Sequence, residues 1–175
     1  MEHGVILYED EAVFRQSGSI FRHWARRGIG SQVKTFPNRK SVKVMGAVKI
    51  DKNPKFHFRF VKTFNSQTYL EFLKQLASRY RGQKIHLIAD NAKYHSSPEV
   101  MEWVTENPEI IELHFLPKYS PELNAQERLW KETRRRTTHN RFFSALQTLK
   151  DALFRRFNRF QGNPASLRTL IANFA

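Results

Sequence analysis

The amino-acid sequence predicts a mixed α/β domain in which an opening antiparallel meander is followed by strands joined through helices. Three observations carry that prediction. Apolar residues alternate with polar ones early in the chain; from Asn65 onward they recur three and four apart; strand-like and helix-like segments then take turns.

The first element is the run Gly4-Val5-Ile6-Leu7-Tyr8, a short β-rich strand that enters the acidic triplet Glu9, Asp10 and Glu11. From Ser41 to Ile50, Val42, Val44, Val48 and Ile50 alternate with Ser41, Lys43 and Lys49, as a strand with one buried face requires. Asp51, Lys52, Asn53 and Pro54 form a turn, and Phe56, Phe58 and Phe60 then alternate with His57 and Arg59, which completes a hairpin. Asn65 or Ser66 caps a helix whose apolar face is Tyr69, Phe72, Leu73, Leu76 and Tyr80, and Gly82 stops it. Lys84 to Ala89 is a strand that delivers Asp90 at its C-terminal end. A helix over Pro98–Glu106 follows, then a strand from Ile110 to Leu116 ended by Pro117. Tyr119, Ser120 and Pro121 break the chain before a helix carrying Leu123, Glu127 and Trp130. The last amphipathic stretch spaces Phe142, Leu146, Leu149, Leu153, Phe157 and Phe160 three or four apart, with Arg155, Arg156 and Arg159 largely off that stripe.

This order matches a ribonuclease H-like fold: a mixed five-stranded sheet flanked by helices, with a C-terminal helical extension. Residues 1–140 form the sheet domain, and the amphipathic helices of 141–175 pack on it.

Composition narrows the function. The 175 residues suffice for one domain, and a hydrophobic fraction of 40% with 15 phenylalanines excludes a disordered chain. No apolar run approaches the roughly 18 to 20 residues of a membrane span, and the N-terminus lacks a signal-peptide pattern, so the expectation is a cytoplasmic protein with no membrane partner. Without cysteine there is no disulfide, thiolate nucleophile or thiolate zinc site, and any metal must be held by Asp, Glu, His or carbonyl oxygens. Lys and Arg number 30 against 16 Asp and Glu, leaving a formal net charge of +14. The excess is patterned: residues 1–89 carry +11, residues 90–127 carry −6 and residues 128–175 carry +9. Basic flanks around an acidic segment suit a protein that grips phosphates and keeps its carboxylates for another task.

Three carboxylates stand out. Asp10 is in phase with Ile6 and Tyr8 at the end of the first strand, Asp90 closes an apolar strand, and Glu127 lies on the apolar stripe between Leu123 and Trp130. Converging acids repel one another without a cation, and carboxylate oxygens suit Mg2+ or Mn2+, two of which would activate a water and stabilise a leaving oxygen. Each acid has another reading. Glu9 and Glu11 compete with Asp10, the pair Asp90-Asn91 is a common turn or helix cap, and Glu127 can pair with Lys131 one helical turn on.

The strings LYEDEAVF (7–14), LIADNAKYH (87–95) and FLPKYSPELNAQERLW (115–130) resemble the catalytic domain of DDE transposases of the mariner-like superfamily, specifically the bacterial and archaeal insertion-sequence six-thirty group. Tyr119, Ser120, Pro121, Leu123, Asn124, Glu127 and Trp130 match the most specific string, and Ala125 stands where proline is usual. The resemblance implies that Asp10, Asp90 and Glu127 are the catalytic and metal-binding acids; 36 residues separate the last two. It implies site-supporting roles for Asn124 and for Asn91 and His95, where a structural cap is the other reading, and DNA contacts at Arg26 and Arg27 in the stretch Trp24 to Gly28, where a solvated loop is the alternative. Further DNA contacts are expected at Arg134, Arg135, Arg136, Arg155, Arg156 and Arg159, with a solvated helix face as the alternative.

The implied activity is metal-dependent DNA cleavage at element ends followed by strand transfer, typically at a TA dinucleotide, with Mg2+ (Mn2+ as substitute) as cofactor, two ions in number. DNA is the implied partner, as element ends and as target; a homodimer and a separate N-terminal DNA-recognition polypeptide are expected too, in a prokaryotic, nucleoid-associated setting. The helix-turn-helix modules with which the family usually begins are not expected in this chain. Two other readings stand beside this one: a different ribonuclease H-like nuclease, and a non-catalytic DNA-binding or assembly module derived from a transposase.

Overall fold

A computed structural model describes the chain except for residues 1–3, 18, 23, 25, 27, 29–31, 35–39, 118, 119 and 175. Arg27 and Tyr119 therefore lie outside the described residues. Five strands form one sheet in the order β3-β2-β1-β4-β5. The meander of β1 (Val5–Arg15), β2 (Ser41–Lys49) and β3 (Phe56–Val61) is antiparallel, and β4 (Ile85–Ala89) and β5 (Ile111–Phe115) join β1 in parallel. The parallel connections run through α1 (Ser66–Arg79) and α2 (Pro98–Glu106). This is the mixed sheet the sequence predicts.

The first strand is longer than expected. It does not end at Tyr8 but continues through the acidic triplet to Arg15, paired residue by residue with β2 from Leu7–Lys49 to Arg15–Ser41. The charges interrupt the apolar run without interrupting the alternation: Leu7 packs into one core, while Ala12 and Phe14, two and four residues beyond Asp10, pack into the other. Asp10 thus sits inside a strand rather than at its end.

One core lies between the sheet and α1 and α2, built on Tyr69, Phe72, Leu73, Leu76, Leu87 and Val100. Asn65 is the N-cap of α1, its side chain accepting from Thr68 N–H at 2.9 Å while the Thr68 hydroxyl reaches back. The helix ends at Arg79 with Tyr80 as its cap, and Gly82 follows in the turn at φ +78°.

The other core lies beneath α3 (Ala125–Thr133), α4 (Leu146–Gly162) and α5 (Pro164–Ile171). Phe157 is its hub, with ring centroids of Phe14, Phe56, Phe58, Phe60 and Trp130 at 4.9 to 6.4 Å, which is where much of the phenylalanine content is used. Two expected members of these helices lie outside them. Leu123 sits in a 3-10 turn (Pro121–Leu123) and is 45% exposed, because Asn124 caps α3 by accepting from Gln126 N–H and starts the helix after it. Phe142 precedes α4 and is exposed. A five-residue π-helical turn (Arg134–Thr138) follows α3. No helix of the described residues is long and apolar enough to cross a membrane.

Candidate active site

Strand alternation sorts the acidic triplet. Asp10, across from Gly46 of β2, shares the α3 face with Ala12 and Phe14, whereas Glu9 and Glu11 share the opposite face with Leu7. Tyr8 pairs with Ile88 in parallel register, so Asp90, the first residue after β4, emerges level with Asp10. Glu127 occupies the first turn of α3. Two contacts fix that turn against the sheet. Asn124 Nδ2 donates to the Glu9 carbonyl at 2.8 Å, and Gly46 has no side chain to keep Trp130 and Gln126 away: a Cβ there would lie 2.6 Å from the Trp130 ring.

Asp10 pays electrostatically for its company. Burial first, then the neighbouring Glu127 and Glu11, with a smaller contribution from Asp90, push its carboxyl up to about 8. Its Oδ2 is buried and has no hydrogen-bond partner. Asp90 is the opposite case. It is half exposed, its Oδ1 accepts from Ala92 N–H at 2.9 Å and faces His95 Nδ1 at 3.1 Å, and the His95 hydrogen bond holds it below the usual carboxylate range. The turn that Asp90-Asn91 signals is therefore present, and it leaves the second Asp90 oxygen outside that bonding. The three acids do not converge on one point: oxygens taken one from each do not all fall within 4.8 Å of one another. Among the described residues no ion pair joins Glu127 to Lys131.

The residues expected to support the site differ in what they touch. Asn91 turns away from the acids and donates to the Leu116 carbonyl, fastening the loop to the end of β5. His95 is fully buried beneath Asp90; its Nε2 lies 2.9 Å from Glu11 Oε1 and 3.8 Å from Glu9 Oε2, and its ring packs on Tyr69 with centroids 4.1 Å apart. Burial alone would pull its pKa down, but hydrogen bonds to Asp90 and Glu11 and the charge of Glu9 outweigh it and lift the imidazole to about 11. Tyr94 donates its hydroxyl to the same Glu11 oxygen at 2.5 Å. Glu9 is fully buried without a hydrogen-bond partner, and burial with the Glu11 charge raises its carboxyl well above the ordinary range. This layer of Glu9, Glu11, Tyr69 and Tyr94 is absent from the sequence reading; Leu7-x-Glu9-x-Glu11 at strand spacing was the available signal.

The basic residues divide. Arg136, Arg155, Arg156 and Arg159 line one open cleft together with Arg141, which the sequence reading did not select. Arg135 and Arg136 pair with Glu132 at 2.8 and 2.9 Å, and Arg134 lies apart over the Phe14 ring at 5.5 Å. Arg26 is exposed, in a segment outside helix and strand.

A β3-β2-β1-β4-β5 sheet with one acid in its central strand, a second just after the neighbouring β4 and a third on a packed helix defines a domain of the ribonuclease H-like class. The chain belongs to the DDE superfamily endonuclease family, whose model matches residues 5–150. It is 32% identical over 149 residues to the insertion element IS630 uncharacterized 39 kDa protein of Shigella sonnei, a match covering 85% of the chain and 43% of that protein. The chain thus spans less than half the length of this relative. Among solved structures it resembles the Mos1 transposase paired-end complex with the left transposon end (TM-score 0.60, 20% identity, 96% of this chain and 55% of that one). It also resembles the Mos1 mariner paired-end complex with Mn (TM-score 0.62, 19% identity, 96% and 55%). The Mos1 catalytic domain taken separately gives a TM-score of 0.55 at 15% identity over 96% of this chain and 81% of that domain. At these identities the likeness to Mos1 is one of fold.

Proposed function

We propose that this chain is the catalytic domain of a transposase, cutting DNA at element ends and joining the freed 3′-hydroxyl to target DNA, with Asp10, Asp90 and Glu127 as its catalytic acids. The observation that carries the reading is the Asp10 carboxyl: its Oδ2 is buried without a hydrogen-bond partner, and burial and the neighbouring acids push the group up to about 8. Hard oxygen donors in that state fit a divalent cation, and the Mos1 complexes solved with Mn and with Mg support the same choice.

Asp10 and Asp90 would share the ions and Glu127 would complete the second position; the open spread of the three carboxylates suits two ions better than one. Bound there, Mg2+ or Mn2+ supplies Lewis-acid polarisation of the scissile phosphate and a more acidic water. The protein's own part is orientation. His95 holds one Asp90 oxygen, Asn124 and Trp130 fix the turn bearing Glu127, and the arginine cleft holds the DNA backbone by charge with little regard to sequence. In the first step a water oxygen bonds to phosphorus and the P–O3′ bond breaks; in the second that 3′-oxygen attacks a target phosphodiester and displaces its 3′-oxygen. Recognition of element ends belongs to a separate N-terminal polypeptide or segment, and pairing of two ends makes a homodimer the working form, acting on the nucleoid.

The test is Mn2+-dependent nicking of supercoiled DNA by the chain and its Asp10→Ala, Asp90→Ala and Glu127→Ala variants, with DNA binding measured in parallel. Nicking is lost in each variant while salt-sensitive binding persists. Undiminished nicking in all three removes the assignment.

A further inference from the structure

Away from the carboxylates, three side chains meet on the edge of the sheet. His86 lies on β4, and Glu112 and His114 lie on β5; the parallel register pairs His86 with Glu112 and Ile88 with His114, so all three project from one face. His86 Nδ1 is 3.2 Å from His114 Nε2. Glu112 reaches both rings, with Oε2 3.7 Å from His86 Nδ1 and Oε1 3.7 Å from His114 Nε2. Donors about 2.0 to 2.1 Å from a tetrahedral ion stand roughly 3.3 Å apart; here the two imidazole nitrogens are at 3.2 Å, and one donor atom from each of the three residues lies within 4.8 Å of the other two, close to the spacing that one ion would impose.

Two neighbours orient the set. A Cβ on Gly4 would fall 2.7 Å from His86 Cδ2 and 2.8 Å from its Nε2, so the Gly4 backbone covers that side of the ring while Nδ1 faces the cluster. Lys84 donates to Glu112 Oε2 at 2.9 Å and steadies the carboxylate, as outer-layer partners of metal ligands do. All three side chains are open to solvent, which gives an ion a path in.

We propose that His86, Glu112 and His114 form a binding site for a zinc-type transition-metal ion, separate from the acidic site. Two imidazoles and a carboxylate favour Zn2+ over Mg2+, which prefers an all-oxygen shell, so the chain sorts its ions: Mg2+ or Mn2+ to the acids, Zn2+ to the sheet edge. A fourth position stays open to water or an outside ligand. The ion ties the edge strand β5 to β4, the strand that ends at Asp90. The site does not depend on the transposase reading.

The experiment titrates the full chain with Co2+ and with Zn2+ in excess Mg2+, for the wild type, His86→Ala and His114→Ala. The expected result is a tetrahedral Co2+ spectrum abolished by about one equivalent of Zn2+, Zn2+ affinity at least about tenfold weaker in each variant, and a Zn2+-induced rise in Tm confined to the wild type. Equal Zn2+ affinity in the wild type and His114→Ala overturns the proposal, as does a purely octahedral Co2+ spectrum. His114 is exposed, and an unchanged Tm of His114→Ala in chelator shows that the fold is intact; should His86→Ala not fold, His114→Ala decides.

Discussion

His95 sets its Nδ1 3.1 Å from Asp90 Oδ1 and its Nε2 2.9 Å from Glu11 Oε1, so a single buried ring ties the loop after β4 to the middle of β1. With an acceptor at each nitrogen the ring is an imidazolium, and it is the one positive charge this layer of acids has against it among the described residues. His95→Phe should cost about 3 kcal/mol in denaturant-induced unfolding, because it leaves Glu9 and Glu11 buried without a cation. Nicking should fall at least about tenfold, with His95→Gln recovering part of it by keeping one hydrogen bond. Unchanged unfolding and unchanged nicking in His95→Phe would show that the tie is idle.

Asp10 should trade stability for function. The unfolded chain ionises this carboxyl near the ordinary value of 3.8, the folded chain only near 8, so ionisation favours unfolding: the cost is absent below 3.8, grows as pH rises and is complete above 8. In chelator, Asp10→Asn should therefore be more stable than the wild type by on the order of 2 kcal/mol at pH 8 and by much less near pH 4. Thermal unfolding across that range checks the sign, and the same variant should not nick DNA.

Gly46→Ala probes the seat of α3. The new Cβ would meet Trp130 at 2.6 Å and the Gln126 amide at 2.8 Å, and the ring is fully packed against Phe14, Phe56 and Phe157. A loss of about 1 to 3 kcal/mol is expected, together with reduced nicking, since α3 carries Glu127. Melting and nicking rates of the variant test both halves.

How far the sequence could be read follows from what each signal encodes. The helix Pro98–Glu106 and the capped start at Asn65 were legible because caps and 3.6-residue spacing are local. The extent of β1 was not, because its second half is held by pairing to β2, residues distant in the chain, and its alternation runs through charges that look like a strand's end. Phase and position mark Asp10, Asp90 and Glu127 as candidates in the sequence; what separates Asp10 from Glu9 and Glu11 is the assignment of the strand's two faces, which only the pairing with β2 supplies. His95 could be singled out from the string it sits in, but its partners could not: Glu11 lies 84 residues away, and contact across that distance leaves no spacing to detect. Likewise Arg141 joins Arg155 and Arg159 only once α4 folds back beside the π-helical turn.

That cleft gives a separate prediction. Arg155→Ala with Arg159→Ala should flatten the dependence of log binding constant on log salt by about 2 and weaken binding to unrelated DNA sequences equally. A fluorescence-anisotropy salt series measures it. An unaltered slope would mean that the DNA runs elsewhere.

The most direct test of the account replaces Asp90 by cysteine, in a chain that otherwise contains none. A thiolate ligand tolerates Mn2+ far better than Mg2+. The ratio of Mn2+-supported to Mg2+-supported nicking should rise at least about tenfold in Asp90→Cys over the wild type, because the side chain touches the ion. The same ratio in both proteins would contradict the claim that Asp90 holds the metal that cuts DNA.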